Sequence, residues 1–579
     1  MSVNTWQNLG QDIYGEFAGD RYGFSVSLSA DGRTVAIGAA FNDGNGVDSG
    51  SVRVYQLDAS NNWQQLGQDI DGEAAYDSSG FSVSLSADGR RVAIGAVYND
   101  GNGANSGSVR IYQLNASNNW QKIGQDIDGE AAYDRFGRAV TLSADGNRLA
   151  VGAFLNDGNG GDSGSVRVYQ LDASNNWQQL GQDIDGEFGG DRSGLAMSLS
   201  ADGRRVAVGA YLNSGSNNLK PDSGSVRVYQ LDASNNWQQL GQDIDGEATG
   251  DWSGYYVSLS ADGNRVAIGA PYNDDNEEDS GSVRVYQLDA SNNWQQLGQD
   301  IDGEATGERS GYSVSLSADG TRVAIGASLN DDNGQDSGSV RVYKLDASNN
   351  WQQLGLTIHG EEANDNFGHS LSLSVDGKRV AIGAISDNGP LYGEIRGLVG
   401  SVRVYELVTE EVIPSNICFP RGTPISTNQG IVPIEKLNPS IHTIRNKKIV
   451  AITKTMTQEK HLVCFEKNAL GENIPSQKTA MTRNHRVFYN GKMIEAKKFI
   501  GKVENVNNIN YSGEILYNVL MEKSDKMVVN NLICETLDPE NCVAKLYTYF
   551  KDFKPSEQQM VLKKVNEYAE TKFKLPSKK

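Results

Sequence analysis

Residues 24–57 decide the fold: Phe24-Ser-Val-Ser-Leu-Ser29, the turn Ala30-Asp-Gly-Arg33, Thr34-Val-Ala-Ile-Gly-Ala39 and, after a loop, Ser51-Val-Arg-Val-Tyr-Gln-Leu57. The first and last runs alternate apolar and polar residues, which is typical of half-buried strands. The middle run is almost wholly apolar or small, which indicates a strand buried on both faces. Asp-Gly favours a tight hairpin turn, because both residues tolerate positive φ. The stretch predicts short antiparallel strands.

This unit recurs along the chain. A Trp-Gln pair followed by an apolar residue and Gly begins at positions 6, 63, 120, 177, 237, 294 and 351, and the spacing is 57 except for one interval of 60. Each copy adds a fourth strand-like run, such as Trp63–Gly67. Seven units of four antiparallel strands predict a seven-bladed β-propeller over residues 1–407. A solenoid is the alternative.

The chain ends of the repeat region are complementary. The chain begins with a fourth strand, Trp6–Gly10, and the last unit stops after its third strand, Ser401–Leu407. The N-terminal strand is therefore expected to complete the last blade and close the ring, which removes an exposed edge. This complementarity favours a ring over a solenoid.

Charge separates the two parts of the chain. Residues 1–411 carry 26 Lys and Arg against 57 Asp and Glu, and residues 412–579 carry 26 against 16. The acidic first part argues against nucleic-acid binding there, because phosphates would be repelled. Strand order puts the loops 42–50 and 71–77 on one face. That face is expected to concentrate acid, which either attracts cations or a basic partner or serves as a solvated rim.

The order Gly-x-Ser-Val-Ser-Leu-Ser, Val-Ala-Ile-Gly-Ala, Gly-Ser-Val-Arg-Val-Tyr resembles the FG-GAP-like repeats of integrin-α-type propellers. The resemblance implies a binding or display module for a protein or glycan ligand. The family's calcium loop, Asp-x-Asp-x-Asp-Gly, has only Ser29–Arg33 as its counterpart, and this turn is too short for 6–8 oxygen ligands. No cofactor is expected, and calcium in the acidic loops is kept as the alternative. His359 and His369 have no nucleophile partner and are interpreted as surface or packing residues.

The cysteines and the N-terminal sequence bear on the cellular compartment of the protein. All four cysteines (Cys418, Cys464, Cys534, Cys542) lie in the second part without zinc-type spacing. No signal peptide and no apolar run of membrane-spanning length is present. We expect a soluble protein made inside a cell, with Cys464, Cys534 and Cys542 as packing residues. Fusions of this kind resemble those of large DNA viruses and bacteria, so a viral particle is one candidate final location.

The pattern changes at Ile417-Cys418-Phe-Pro-Arg-Gly-Thr-Pro-Ile425, after a linker over residues 408–417. This block, the run Thr482-Arg-Asn-His485 with its following Gly and Ala, and a third run over residues 517–533 stand in the order seen in Hint domains. Residues 418–536 therefore resemble the hedgehog and intein autoprocessing fold. A short C-terminal helix is predicted within residues 537–579, where Pro555 could open it.

A thiol directly after a polarised peptide bond can attack the preceding carbonyl and form a thioester. Cys418 is the candidate nucleophile and Ile417–Cys418 the junction. His485 is the candidate general acid, and Thr482 the candidate group that holds the scissile carbonyl. The resemblance assigns the same roles to these positions, and Asp525 is the candidate base.

The end of the Hint pattern departs from inteins. Glu535-Thr536 replaces the His-Asn pair whose Asn cyclises, and Asn518 replaces an Asp. Splicing is therefore disfavoured, as is sterol transfer, because residues 449–455 hold no evident activating carboxylate. The prediction is an acyl shift at Cys418, followed by attack of water or a small nucleophile. The alternative is a non-catalytic interaction protein with an inactive Hint fold.

Overall fold

The computed structural model describes residues 2–215, 220–389, 398–411, 419–455, 461–483, 485–489, 492–511, 516–521 and 526–535. It divides into two compact units, residues 4–409 and a second unit made of residues 1–3 and 410–579. Each unit is described by itself.

The first unit contains seven antiparallel sheets; neighbouring strands follow chain order in six, and in the seventh the N-terminal strand lies beside the last strand. The first strands are Ser25–Leu28, Ser79–Leu85, Ala139–Leu142, Ala196–Leu199, Tyr256–Leu259, Ser313–Leu316 and Phe367–Leu373. The second strands are Thr34–Ala39, Arg91–Ala96, Arg148–Ala153, Arg205–Ala210, Arg265–Ala270, Arg322–Ala327 and Arg379–Ala384. The third strands are Ser51–Leu57, Ser108–Leu114, Ser165–Leu171, Ser225–Leu231, Ser282–Leu288, Ser339–Leu345 and Ser401–Glu411. The fourth strands are Trp63–Gln65, Trp120–Lys122, Trp177–Gln179, Trp237–Gln239, Trp294–Gln296, Trp351–Gln353 and Ser2–Asn8.

The sheets are the seven blades of a closed propeller. First strands of neighbouring blades contact one another, and Ser25–Leu28 of blade 1 contacts Phe367–Leu373 of blade 7. The second strand Thr34–Ala39 is buried along its whole length, as its apolar run predicts. Ser2–Asn8 pairs with Ser401–Glu411, so the N-terminal strand completes blade 7 as the complementary ends predict.

Each blade also has a fifth, two-residue strand that the sequence analysis did not anticipate. In blade 1 it is Ile70–Asp71, which pairs with the start of the third strand through Val52 and Ile70. Two residues are too few for a periodic signal. The other six are Ile13–Tyr14, Ile127–Asp128, Ile184–Asp185, Ile244–Asp245, Ile301–Asp302 and Ile358–His359.

One face of the propeller is joined by a closed circle of backbone hydrogen bonds. The residue before each Asp-Gly turn donates its N–H to the carbonyl of the equivalent residue in the next blade, at 2.9 or 3.0 Å. The last donor, Val375, reaches Ala30 of blade 1. The members are Ala30, Ala87, Ala144, Ala201, Ala261, Ala318 and Val375.

The opposite face carries the longer loops, as strand order predicts. Asn45, in the loop between the second and third strands, donates its side-chain amide to the carbonyls of Gly72 and Glu73 in the connection to the next blade. Gly72 donates its N–H to the carbonyl of Gly50. The two loops are therefore packed on one another.

The second unit is a β fold with its own core. Its strands up to residue 481 are Phe419–Pro420, Pro424–Thr427, Gly430–Pro433, Thr443–Ile444, Lys447–Thr455, His461–Phe465 and Thr479–Met481. The later strands are Arg486–Tyr489, Lys492–Glu495, Val506–Asn510, Leu516–Met521, Lys526–Val529 and Leu532–Glu535. They form sheets of four, six and three strands around a cluster that includes Phe419, Phe465 and Val487.

Helices in the described residues are limited to two short 3-10 turns, Ile434–Lys436 and Ala496–Phe499. The helix predicted within residues 537–579 lies outside the described residues. The strands Lys526–Val529 and Leu532–Glu535 are joined by Asn530 and Asn531, both at positive φ, in the manner of a two-residue hairpin. No described helix is long and apolar enough to cross a bilayer.

Candidate functional site

Phe419, with which the description resumes after residue 411, is fully buried beside the predicted catalytic residue His485. Its ring centroid lies 4.2 Å from that of His485, at an interplanar angle of 56°. Phe419 pairs with Tyr517 in the four-stranded sheet. Its strand also contacts Thr479–Met481, the strand that leads directly into Thr482. The residue that follows Cys418 in the chain is therefore packed on the candidate general acid.

Thr482 and His485 are held by a tight turn. The N–H of His485 donates to the carbonyl of Thr482 at 3.2 Å, and the carbonyl of His485 accepts from the N–H of Ala496 at 2.7 Å. Both residues have no solvent exposure. These backbone hydrogen bonds fix the Cα positions of Thr482 and His485, and burial excludes bulk water from both side chains. The turn thus buries a hydroxyl and an imidazole three residues apart in the chain.

Most of the other predicted site residues lie outside the described part of the chain. Ile417, Cys418 and Asp525 lie outside the described residues, as do the linker from 412 to 417 and Thr536. Glu535 ends the strand Leu532–Glu535.

Two of the remaining cysteines are packing residues, as predicted. Cys464 is buried in the three-stranded sheet and Cys534 in the six-stranded sheet. Burial raises the pKa of the Cys464 thiol to about 11, and Glu466 beside it adds to the shift. A neutral thiol is a poor nucleophile. Cys542 lies outside the described residues.

On the propeller, the expected acid-rich face is already neutralised in part by arginine. The Arg of each Ser-Val-Arg-Val-Tyr strand is nearly fully buried and pairs with the Glu of a Gly-Glu connection. Arg403 shows the arrangement: it contacts Asp12 at 3.0 Å, Glu361 at 3.1 Å and Asp387 at 2.9 Å. The other six arginines are Arg53, Arg110, Arg167, Arg227, Arg284 and Arg341.

Several acidic groups on the propeller have protein partners. In the short turn between the first two strands, Asp31 accepts from the Ser29 hydroxyl at 2.7 Å and from the N–H of Arg33 at 2.9 Å. Among described residues, one triad, Glu247, Asp275 and Asp300, brings three carboxylates within 4.8 Å. Arg284 lies 3.3 Å from Glu247 and 3.8 Å from Asp300, so two of the three carboxylates already face a cation.

The two histidines of the propeller differ in surroundings. His359 lies 3.8 Å from Asp332 at the surface. His369 packs between Phe24 and Tyr312, with centroid distances of 5.2 and 5.3 Å. Burial lowers the pKa of His369 to about 4, and the charges of Arg138 and Arg21 act in the same direction. His369 is therefore a neutral packing residue, as the sequence suggested.

Fold and site together define a repeat propeller followed by a separate β domain with a buried Thr-x-x-His turn. Comparison with known families agrees. The FG-GAP repeat family matches residues 16–55, 70–112, 127–169, 244–286 and 301–343, and the Hint domain family matches residues 417–541. The chain therefore carries FG-GAP repeats and a Hint domain.

Other comparisons add little. No match was found among curated proteins. Among solved structures, a chain titled Kuenenia stuttgartiensis hydrazine synthase is similar over 70% of this chain and 98% of its own, with 13% identity and a TM-score of 0.43. Similarity at this level transfers no property of that enzyme.

Proposed function

We propose that the propeller is a binding module and that the Hint domain releases it by cutting the Ile417–Cys418 bond from within the chain. One observation carries the proposal: the imidazole of fully buried His485 is packed on Phe419, the residue directly after Cys418. This contact supports a role for His485 at the Ile417–Cys418 bond, because Cys418 directly precedes Phe419 in the chain and consecutive Cα atoms are about 3.8 Å apart.

The first step is an N-to-S acyl shift. The sulfur of Cys418 attacks the carbonyl carbon of Ile417, and the thiol proton passes to solvent or to a base. As the C–N bond breaks, His485 gives a proton to the departing nitrogen, which becomes the α-amine of Cys418. Thr482 donates a hydrogen bond to the carbonyl oxygen as negative charge builds there. The product is a thioester between Ile417 and Cys418.

The second step releases the propeller. Water or a small thiol attacks the thioester carbon, the C–S bond breaks, and the Cys418 thiol is restored. With water, residues 1–417 leave with a carboxyl end; with a thiol, they leave as a new thioester. No oxidant or cofactor is required. Asp525 is the proposed base for the attacking nucleophile, and ligation of two flanks is not proposed because Glu535-Thr536 offers no Asn side chain.

Intact-mass measurement tests the proposal. Purified full-length chain is incubated near neutral pH with and without dithiothreitol, beside a Cys418→Ala variant treated in the same way. The expected result is two fragments that meet at Ile417–Cys418, formed faster with dithiothreitol and absent from the variant. A chain that stays whole under both conditions would overturn the proposal in favour of a non-catalytic interaction protein.

A further inference from the structure

The seven near-identical blades differ from one another at one structural position in particular. The residue directly before the last four residues of each first strand varies in character among the blades, whereas the third strands repeat Ser-Val-Arg-Val-Tyr in six of seven copies. Because first strands of neighbouring blades contact each other, these residues surround the propeller axis on the loop face. The set, called the axial ring, is Phe24, Phe81, Arg138, Leu195, Tyr255, Tyr312 and His369.

The axial ring is a connected aromatic surface. Phe24 contacts Phe81 at 4.6 Å and His369 at 5.2 Å between centroids. Tyr312 contacts His369 and Tyr255, both at 5.3 Å. The members other than Leu195 are half-buried, so each keeps an edge in solvent. Five consecutive blades therefore present one arc of ring edges at the mouth of the axis.

Arginines are stacked on this arc and around it. The guanidinium of Arg138 lies 4.9 Å from the centroid of Phe81, inside the axial ring. Three residues before the axial-ring position, Arg21, Arg135 and Arg309 lie over Phe41, Tyr98 and Tyr272 at 4.9, 4.4 and 4.4 Å. Arg192, at the same position of blade 4, donates to the hydroxyl of Tyr211 at 2.8 Å.

These five arginines are not ion-paired within the part of the chain that the structure describes, although residues 1–411 are strongly acidic. The seven third-strand arginines, in contrast, all contact carboxylates. Nε of Arg135 and Nε of Arg309 are buried and have no hydrogen-bond partner among described groups. A buried donor without a partner is costly, and these guanidinium groups have no carboxylate within the described residues to offset that cost.

We propose that the axial ring and its stacked arginines bind an acidic segment of a partner protein that also carries aromatic side chains. Guanidinium groups stacked on aromatic rings keep their in-plane N–H donors directed outward, and this geometry matches carboxylates. Tyr, Trp and Arg are the side chains that dominate protein–protein binding energy. The inference deepens the binding role proposed for the propeller and rests on it.

A glycan fits this surface less well. Sugars stack on exposed flat faces of aromatic rings, but the faces of Phe41, Tyr98, Tyr272 and Phe81 are occupied by guanidinium groups. The other rings of the axial ring, Phe24, Tyr255, Tyr312 and His369, meet one another at tilted angles. Exposed aromatics on four successive connections extend the same loop face outward, as expected for a partner larger than a short sugar: Phe17, Tyr76, Tyr133 and Phe188.

The test uses full-length chain with Cys418→Ala, so that no cleavage intervenes. The probe is a fluorescein-labelled octapeptide of alternating Glu and Tyr, compared with its Lys-Tyr counterpart, a maltohexaose and a heparin hexasaccharide. The test variants are Arg135→Ser and Arg309→Ser. Serine is chosen because Ser78 occupies the equivalent position in blade 2. The matched control is exposed Arg204→Asn, since Asn147 and Asn264 occupy that position in blades 3 and 5.

The Glu-Tyr peptide is expected to bind, to weaken about tenfold with each arginine replaced and to be unaffected by Arg204→Asn. Added salt is expected to weaken it further. Equal binding by all variants, preference for the Lys-Tyr peptide, or no binding at about 1 mM peptide would overturn the inference. Tighter binding of either sugar would also overturn it while leaving a binding role for the propeller. Cleavage at Ile417–Cys418 is measured separately by mass, so a failure of cleavage is distinguishable from a failure of peptide binding.

Discussion

The N–H of Val375 donates to the carbonyl of Ala30 at 3.0 Å, which links the last blade to the first. It is the closing member of a circle of seven such bonds, one for each blade. The ring is also closed on its outer side, where Leu9 donates its N–H to the carbonyl of Val404 at 2.7 Å. Residues about 350 or more positions apart in sequence thus close the propeller both near its axis and at its outer edge.

Removal of the N-terminal strand should open the ring. A chain that begins at residue 9 loses Ser2–Asn8 and the indole of Trp6, which donates to the carbonyl of Leu354 at 2.7 Å. Loss of a large aromatic side chain alone costs about 3–5 kcal/mol. We expect the free energy of unfolding in urea to fall by at least about 3 kcal/mol and a synthetic peptide of residues 1–8 to restore part of it. An unchanged urea midpoint would show that the strand does not close the ring.

Arg403 should be among the most costly arginines to replace. Its side chain is buried and contacts three carboxylates, so Arg403→Met leaves Asp387 and Asp12 without their cation. Breaking a buried ion pair on one side costs about 3–5 kcal/mol. The control, exposed Arg204→Asn, should change the unfolding free energy by less than about 0.5 kcal/mol. Similar small effects for both variants in urea denaturation would refute a structural role for the buried pair.

His369 should make the propeller acid-sensitive. Its pKa is about 4 in the folded protein, below the ordinary value of 6.5, so the unfolded chain binds more protons between these pH values. Stability contributed by this group is therefore complete above pH 6.5 and is lost as pH falls towards 4. Because part of the ring is in solvent, we expect a loss of about 1 kcal/mol between pH 7 and 5.

The matched variant is His369→Phe, since Phe24 and Phe81 occupy the equivalent position in other blades. Its unfolding free energy should vary less between pH 7 and 5 than that of the unmodified chain. The groups that face His369 are Phe24, Tyr312 and the guanidinium groups of Arg21 and Arg138. Parallel pH profiles for the two proteins would contradict a half-buried, neutral His369.

His485 should control the rate of cleavage. His485→Ala removes the proposed general acid, and such groups contribute about 10²–10⁴-fold to rate. His461→Ala is the control, because His461 is exposed in the same domain. Rates of fragment formation with dithiothreitol are measured by mass, and far-UV circular dichroism checks folding. Cleavage by His485→Ala at the control's rate would remove His485 from the mechanism.

Much of the propeller could be predicted because its strands are short and strongly patterned. Thr34–Ala39 and Ser51–Leu57 have the limits that alternation and apolar runs indicate. The alternating pattern gave a wrong expectation for Arg53. A period of two places this residue on the polar, solvent-facing side of its strand, yet it is only 4% exposed. The reason is that each sheet packs between two neighbouring blades. A side chain that points away from one blade interface is therefore buried in the other.

The axial ring illustrates a second limit. A pattern search over seven similar repeats finds what the copies share and not the positions where they differ. Only the structure shows that Phe24, Phe81 and His369 lie together, since they are far apart in the chain. In the Hint domain, spacing alone could not show that His485 contacts Phe419. The resemblance to Hint domains was what connected Thr482 and His485 to Cys418.

The most direct test of the central claim is the mass of the propeller fragment after full-length chain is incubated with hydroxylamine. The account predicts a fragment of residues 1–417 that ends in a hydroxamate, because hydroxylamine attacks a thioester and restores the Cys418 thiol on the other fragment. Cys418→Ala should give no such fragment. An unmodified full-length mass after prolonged incubation, or cleavage that persists in Cys418→Ala, would contradict autoprocessing at this junction.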